Sequence, residues 1–190
     1  PDASVKAAAF TGVCLSCNLD SLQEYRQRMD EWLARDESFV RMAVKVLSKT
    51  GDAFYAQKLV TIFSQTQEAD LKALALEGLS RMDHVNILSF AVQAGAHPSS
   101  KVRRASLKAL AAAAPQTLPE LLMTFLKDPD PEIRTDASRL LETLGEKIIP
   151  VLLKNIAQPS CCLMEEILQL LERIGFPKAG CMRAAQCSRS

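Results

Sequence analysis

Apolar side chains recur along the chain with helical spacing and with a longer period of about thirty-one residues. Five segments share the same apolar stripe, and they start at Phe39, Leu71, Val102, Ile133 and Leu163. A leucine stands eight positions after every start: Leu47, Leu79, Leu110, Leu141 and Leu171. Apolar residues spaced by three and four positions share one face of an α-helix. The pattern therefore predicts an amphipathic helix in each of five repeated segments.

Prolines and glycines mark the ends of these predicted helices. Three prolines each lie four residues before a start: Pro98, Pro129 and Pro159. Proline ends the preceding helix there and opens the next turn without losing a needed hydrogen bond. Three glycines follow the stripes: Gly51, Gly145 and Gly175. Because glycine adopts the left-handed conformation of a C-cap at little cost, these positions predict helix ends.

A second helix is predicted in each of the first four segments, where apolar residues again recur with helical spacing. Its predicted core residues are Tyr55, Leu59 and Ile62; Ile87, Ala91 and Ala94; Leu118, Leu122 and Phe125; and Ile149, Leu153 and Ile156. A hairpin of this length cannot bury its own apolar faces, so neighbouring hairpins must stack into a continuous layer. The predicted fold class is all-α, an α-solenoid of stacked antiparallel helix pairs.

Two segments carry the resemblance to a known family. Residues Pro98 to Leu110 and Asp128 to Gly145 each contain a proline loop, an apolar residue followed by Arg, a small residue and a leucine. The second segment adds an Asp-Pro loop and a closing Leu-Gly. They resemble HEAT repeats, in particular the short kind of phycobilisome-lyase-like proteins. The resemblance implies a right-handed superhelix of the armadillo type, in which the second helices line the concave side.

The repeats suggest a domain organisation. Residues 1–35 are predicted to form an irregular N-terminal helical repeat or cap, and 176–190 a basic flexible tail. The HEAT-like repeats between them are predicted at 36–66, 67–96, 97–127, 128–158 and, in part, 159–175. An open end after the partial repeat is expected to expose Leu168 or Leu171 unless something covers them. The first residue, Pro1, is compatible with a piece of a longer chain.

Composition narrows the function classes. The 190 residues are 48% hydrophobic and 24% charged, which suits a folded chain. Their net charge of +1 gives no overall attraction to phosphate or to an anionic membrane. Charged residues interrupt every apolar run before the roughly 18 residues of a spanning helix, so no membrane insertion is expected. Six cysteines, two of them adjacent at Cys161 and Cys162, favour a reducing, cytoplasmic location.

Residues that could carry catalysis or a metal are few. The histidines His84 and His97 lack the spacing of a metal-binding pair, and no His-Glu dipeptide of the HEAT-like dinuclear-iron hydroxylases occurs. Cys14 and Cys17 form a single Cys-x-x-Cys, which favours small apolar packing over zinc or redox chemistry. A zinc site that adds Cys161 or Cys162 is the alternative. We expect no catalytic residue, no metal site and no cofactor.

The second helices supply the predicted binding site. Their non-core positions carry mainly uncharged polar residues: Gln57, Thr61, Ser89, Gln93, Glu120, Thr124 and Asn155, with Lys154 beside them. Such a lining suits a helix or an extended peptide better than a phosphate backbone. The predicted function is a non-enzymatic scaffold or adaptor that binds another protein, or another domain of a longer chain, through this concave surface. The sequence does not indicate the oligomeric state.

Two alternatives remain at this point. One is nucleic-acid binding by the basic face from Lys101 to Lys108 together with the tail, although a structural role for that cluster is favoured. In that structural role, Arg103 and Arg134 pair with Asp128 or Asp130 of a neighbouring repeat. The other alternative is a bilin-lyase-like role, which only the resemblance suggests.

Overall fold

The computed structural model describes residues 19–82, 86–113, 118–157 and 163–177. These residues form helices, turns and bends, with no strand among them. Several predictions from the sequence fall outside this part of the chain. They concern the stretch from Val5 to Cys17, all six cysteines, His84 and most of the basic tail.

The described residues form ten α-helices. They are α1 Leu19–Leu33, α2 Glu37–Thr50, α3 Ala56–Gln65, α4 Ala69–Arg81, α5 Ile87–Gly95, α6 Ser100–Ala113, α7 Leu118–Phe125, α8 Pro131–Thr143, α9 Ile149–Ile156 and α10 Met164–Ile174. Two 3₁₀ segments, Ala53–Tyr55 and Gly145–Ile148, lead into α3 and α9. The even-numbered helices from α2 to α10 are the predicted first helices of the repeats, and α3, α5, α7 and α9 are the second helices. Two helices fall within each predicted range from 36 to 158, while the repeat bounds themselves stay a prediction.

The helix ends follow local chemistry. Asp36 caps α2 because its carboxylate accepts hydrogen bonds from the backbone N–H groups of Ser38 and Phe39. The Ser38 hydroxyl donates to the same carboxylate and, with these N–H groups, lowers the pKa of Asp36. Gly51 and Gly175 end α2 and α10 with φ values of +66° and +85°. Gly145 also has a positive φ, +60°, so the predicted glycine positions are confirmed.

The column of leucines forms the core. All five leucines of the column are at most 1% exposed: Leu47, Leu79, Leu110, Leu141 and Leu171. The position four residues after each start is also fully buried: Ala43, Ala75, Ser106, Ala137 and Ile167. Ser106 satisfies its hydroxyl by donating to the carbonyl oxygen of Ala91 in α5, at 2.6 Å. The predicted apolar stripe of the first helices is therefore confirmed.

The chain divides into two compact units, Pro1–Ala109 (unit 1) and Leu110–Ser190 (unit 2). In unit 1, α2 packs between α1 and α4, and α4 also packs against α3 and α5. Gly78 of α4 allows a close approach, because a Cβ there would lie 2.8 Å from Leu59 Cδ1 and 3.2 Å from Ser48 Cα. The Tyr55 hydroxyl donates to the carbonyl oxygen of Arg26 at 2.8 Å, which joins the second helix to α1.

In unit 2, α8 packs against α7 and α10, and α10 also packs against α9. Arg173 of α10 pairs with Glu142 of α8 at 2.6 Å, a separation of 31 residues along the chain. This spacing equals the repeat period, so the pair joins neighbouring first helices. An exposed pair of this kind contributes about 0–1 kcal/mol, and the stability of the unit rests mainly on its apolar core.

The structure corrects the predicted core in two repeats. In the fourth repeat Ile148 and Leu152 are buried, whereas the predicted Ile149, Leu153 and Ile156 are half-buried. The 3₁₀ segment before α9 has about three residues per turn instead of 3.6, which shifts the buried face by one position. In the first repeat Phe63 is buried and the predicted Ile62 is half-buried, because the Phe63 ring packs on Phe90 at 5.6 Å.

At the last repeat Leu168 and Leu171 are covered: they are 1% and 0% exposed. Both leucines face the core of unit 2.

Candidate functional site

The predicted binding residues lie on the outer surface of the second helices, as their positions between the core residues require. Those of unit 1, on α3 and α5, are exposed: Gln57, Thr61, Ser89 and Gln93. In unit 2, Glu120 and Thr124 of α7 and Lys154 of α9 are exposed, whereas Asn155 is half-buried. We call the exposed residues of α3, α5 and the segment Ala53–Tyr55 the second-helix face of unit 1. The corresponding face of unit 2 comprises the exposed residues of α7, α9, Lys127 and the segment Gly145–Ile148.

The small polar side chains of these faces bond to their own helices. Thr61 donates to the carbonyl oxygen of Gln57, Ser89 to that of Asn86 and Thr124 to that of Leu121. Asn155 donates to the carbonyl oxygen of Val151. Each hydroxyl oxygen therefore still has lone pairs with which to accept a hydrogen bond from a ligand.

Two side-chain amides of unit 1 are available for recognition. Gln57 and Gln93 are exposed, and within the described residues their amides make no hydrogen bond. A primary amide offers two donors and one acceptor oxygen. That combination matches the donors and acceptors of a peptide backbone.

The second-helix face of unit 1 also exposes large apolar side chains. Among the described residues, two large hydrophobic side chains are classed as exposed: Phe54 at 62% and Val92 at 49%. Both lie on this face, Phe54 in the segment before α3 and Val92 on α5. Surface-exposed apolar groups beside uncharged polar ones are typical of interaction sites.

Neighbouring side chains hold Phe54 in place. The Arg26 guanidinium lies 4.3 Å from the centre of the Phe54 ring, and the Tyr55 ring contacts it edge-on at 5.1 Å. Asp52 accepts the backbone N–H of Phe54 and contacts Arg26 at 3.5 Å. Reasoning from the sequence missed Phe54, since it fell between the core position Tyr55 and the helix end Gly51. Its signal was an aromatic residue adjacent to a core aromatic.

The family model for HEAT repeats matches residues 88–161. Residues 88–161 therefore resemble HEAT repeats. No curated protein matches the chain. The comparison does not separate the short lyase-like kind from other HEAT repeats, so that finer resemblance stays a prediction.

Solved structures share the fold. An engineered protein from a structural genomics consortium is 17% identical, with a TM-score of 0.53 over 92% of this chain and 93% of its own. A second engineered protein is 16% identical, with a TM-score of 0.54 over 91% of each chain. A designed armadillo repeat protein in complex with the peptide (KR)4 is 15% identical, with a TM-score of 0.53 over 90% of this chain and 92% of its own. Together with the all-helical structure, these likenesses confirm the predicted α-solenoid class.

Arg103 of α6 and Arg134 of α8 each bind the loop that precedes their own helix. Arg134 donates to the carbonyl oxygens of Asp128 and Pro129, at 2.6 and 3.1 Å. Arg103 makes the equivalent bonds to the carbonyl oxygens of His97 and Pro98, at 3.1 and 2.8 Å. The guanidinium thus satisfies backbone acceptors in the loop before each first helix. The predicted pairing of these arginines with the side chain of Asp128 or Asp130 stays a prediction.

Carboxylates of α4 neutralise much of the basic cluster on α6. Lys101 pairs with Asp70 at 2.7 Å, and Lys108 contacts Glu77 at 3.7 Å. Both acids lie 31 residues earlier, on the preceding first helix. Arg103 is buried and bonded to loop carbonyls. A duplex would have to displace these carboxylates, so the cluster favours repeat stacking over phosphate binding.

Reactive chemistry has little support in the described part of the molecule. No group of three His, Cys, Asp or Glu side chains lies close enough there to hold a metal ion. Burial is the main cause that raises the pKa of the Tyr55 hydroxyl, which keeps it protonated and donating to Arg26. Burial, with the nearby Lys72 and Arg103, lowers the pKa of His97. None of the described helices combines the length and the apolarity that crossing a bilayer requires.

Proposed function

We propose that the chain is a non-enzymatic scaffold or adaptor that binds another protein, or another domain of a longer chain, through its second-helix faces. The observation that carries the proposal is the placement of Phe54 and Val92. These exposed apolar side chains lie on the second-helix side, beside the free amides of Gln57 and Gln93. Buried aromatic and aliphatic anchors supply most of the binding energy of protein interfaces.

Two further points support a protein partner. Stacked helical repeats provide extended surfaces of the kind that binds proteins and peptides. The designed armadillo repeat protein with a similar fold was solved in complex with a peptide. That binding is a property of the designed protein. A nucleic-acid partner has less support, because Asp70 and Glu77 already pair with two of the basic residues on α6. We propose a cytoplasmic location on the grounds of the sparse cysteines alone.

The proposal is tested by placing charge on the faces. The variant Thr61→Glu, Gln93→Glu, Thr124→Glu alters three exposed side chains and should leave the helical content unchanged. Proteins captured by the wild-type chain from a lysate of its source, and identified by mass spectrometry, should be retained at least ten-fold less by this variant, which corresponds to about 1.4 kcal/mol.

A matched control distinguishes the effect of changing the second-helix faces from the effect of added negative charge. Thr135, Thr143 and Gln169 are exposed residues of the same types on first helices. Their conversion to Glu adds the same negative charge away from the second-helix faces. Retention should stay within two-fold of wild type in this control. Equal losses in both variants, or no loss in the first, would contradict the proposed site.

A further inference from the structure

The charges of the second-helix faces indicate the chemistry of the partner, an argument that rests on the proposed function. In unit 1 the segment Ala53–Tyr55, α3 and α5 contain one charged residue, Lys58, and no carboxylate. Lys58 is exposed and forms no ion pair with the described residues. A basic segment would find no counter-charge on this face, whereas an acidic one would find a cation and no repulsion.

In unit 2 the described lysines and the described arginines lie on different sides of the helical hairpins. Its described arginines, Arg134, Arg139 and Arg173, all lie on first helices, and each already has a partner within the unit. Its described lysines all lie on the second-helix side and are exposed: Lys127, Lys147 and Lys154. Within the described residues none of the three forms an ion pair. They outnumber the two carboxylates on that side, Glu120 and Glu146.

In unit 1 the unpaired Lys58 shares the second-helix face with apolar side chains, which defines a mixed surface. Phe54 and Val92 of unit 1 offer apolar contact area, and Arg26 and the Tyr55 ring already hold Phe54 in one orientation. An anchor that is ordered before binding loses less conformational entropy when the partner arrives. Lysine charges at the edge of such a site mainly affect the rate of association and the choice of partner.

We infer that the second-helix faces take an acidic, apolar peptide segment, one in which Asp or Glu alternates with or flanks leucine and aromatic residues. On unit 1 its apolar side chains pack on Phe54 and Val92 and its carboxylates meet Lys58. On unit 2 its carboxylates meet lysines that form no ion pair with the described residues: Lys127, Lys147 and Lys154. A neutral or basic segment with the same apolar pattern would pack on Phe54 and Val92 but would lack the contacts between carboxylates and lysines.

The test compares three sets of short synthetic peptides with the full chain. The sets share one pattern of Leu and Phe and carry Glu, Gln or Lys at the remaining positions. By fluorescence anisotropy, the Glu peptides should bind about ten-fold more tightly than the Lys peptides, with the Gln peptides between them. The advantage of the Glu peptides should shrink at high salt, because rim charges are screened.

Matched lysine variants locate the effect. The change Lys58→Gln, Lys154→Gln removes one unpaired lysine from the face of each unit and should weaken binding of the Glu peptides by about three- to ten-fold. The change Lys45→Gln, Lys49→Gln removes the same charge from exposed, unpaired positions of α2, a first helix. It should change binding by less than two-fold.

The outcomes distinguish this inference from the function on which it rests. Phe54→Ala, at a 62% exposed position, should weaken every peptide set about ten-fold without altering the fold. If Phe54→Ala has that effect but the Gln or Lys peptides bind as tightly as the Glu peptides, the acidic partner is wrong and the binding face stands. If no peptide set binds, both the inference and the proposed function are overturned.

Discussion

Gly78 provides a sharp test of the packing in unit 1. The residue lies inside α4, where replacing an open helical glycine with alanine would stabilise the protein by about 1 kcal/mol. The structure predicts the opposite sign. A Cβ at position 78 would lie 2.8 Å from Leu59 Cδ1, inside any permitted contact, and 3.2 Å from the backbone atom Ser48 Cα. Leu59 is fully buried and Ser48 Cα belongs to the neighbouring helix α2, so neither atom moves without disturbing the core.

The magnitude follows from two opposed terms. Inserting a methyl group into a packed core costs about 1–3 kcal/mol, and the gain in helix propensity offsets about 1 kcal/mol of it. Gly78→Ala should therefore lower the free energy of unfolding by about 1 kcal/mol. Urea titration followed by far-UV circular dichroism measures this change, and the melting temperature should fall by about 2–4 °C.

A double-mutant cycle identifies the cause. Leu59→Ala removes the atom that the new methyl group meets first, so Gly78→Ala should cost at least about 0.5 kcal/mol less in that background than in the wild type. If Gly78→Ala stabilises the wild-type protein instead, the close approach of α4 to α2 and α3 does not exist. If its cost is the same in both backgrounds, Leu59 is not the obstacle.

Three further predictions concern the core, the loops and pH. Leu141→Ala, at a fully buried site, should lower the free energy of unfolding by about 2–5 kcal/mol in urea titration, and a loss below 1 kcal/mol would contradict its core position. Arg134→Ala removes two bonds to loop carbonyls and should cost about 1–3 kcal/mol by the same measurement; Arg134→Lys, which lacks the guanidinium fork, should recover only part of it. Nδ1 of His97 accepts a hydrogen bond from the backbone N–H of Ser99, so the folded protein favours the neutral imidazole. Its pKa lies below the ordinary 6.5, the unfolded chain therefore binds the proton first, and stability should fall as the pH drops below about 6.5. His97→Asn retains an acceptor for that N–H without titrating, and the urea midpoint should then lose this part of its dependence between about pH 8 and pH 5; an unchanged dependence would assign the effect to other groups.

Helical spacing predicted the polar residues of the proposed binding site but not its exposed aromatic residue, Phe54. The positions of Gln57 and Gln93 followed from helical spacing, because residues between core positions must face outward. Phe54 did not follow, since spacing alone assigns an aromatic residue next to Tyr55 to neither the core nor the surface. Its exposure depends on the 3₁₀ segment that turns Tyr55 inward and leaves Phe54 against Arg26.

The pairing of charges likewise required the stacked helices. Lys101, Arg103, Arg104 and Lys108 form a basic cluster when the chain is read in order. Their acidic neighbours Asp70 and Glu77 are 31 residues away and come close only when α4 and α6 stack. A count of local charge therefore overestimates how much positive charge this surface offers to phosphate.

What the sequence determined by itself was periodic. The leucine of the column and the buried residue four positions before it recur in all five repeats, and a glycine cap recurs in three of them. The burial of these residues and the φ of the glycines depend on the helix to which each belongs. The tertiary structure alone decided the features that arise between hairpins: the one-position shift to Ile148 and Leu152, the space left by Gly78, and the burial of Leu168. Local pattern selects which face of a helix turns inward, but distances between atoms of different helices depend on how those helices approach each other, and no short stretch of sequence contains that information.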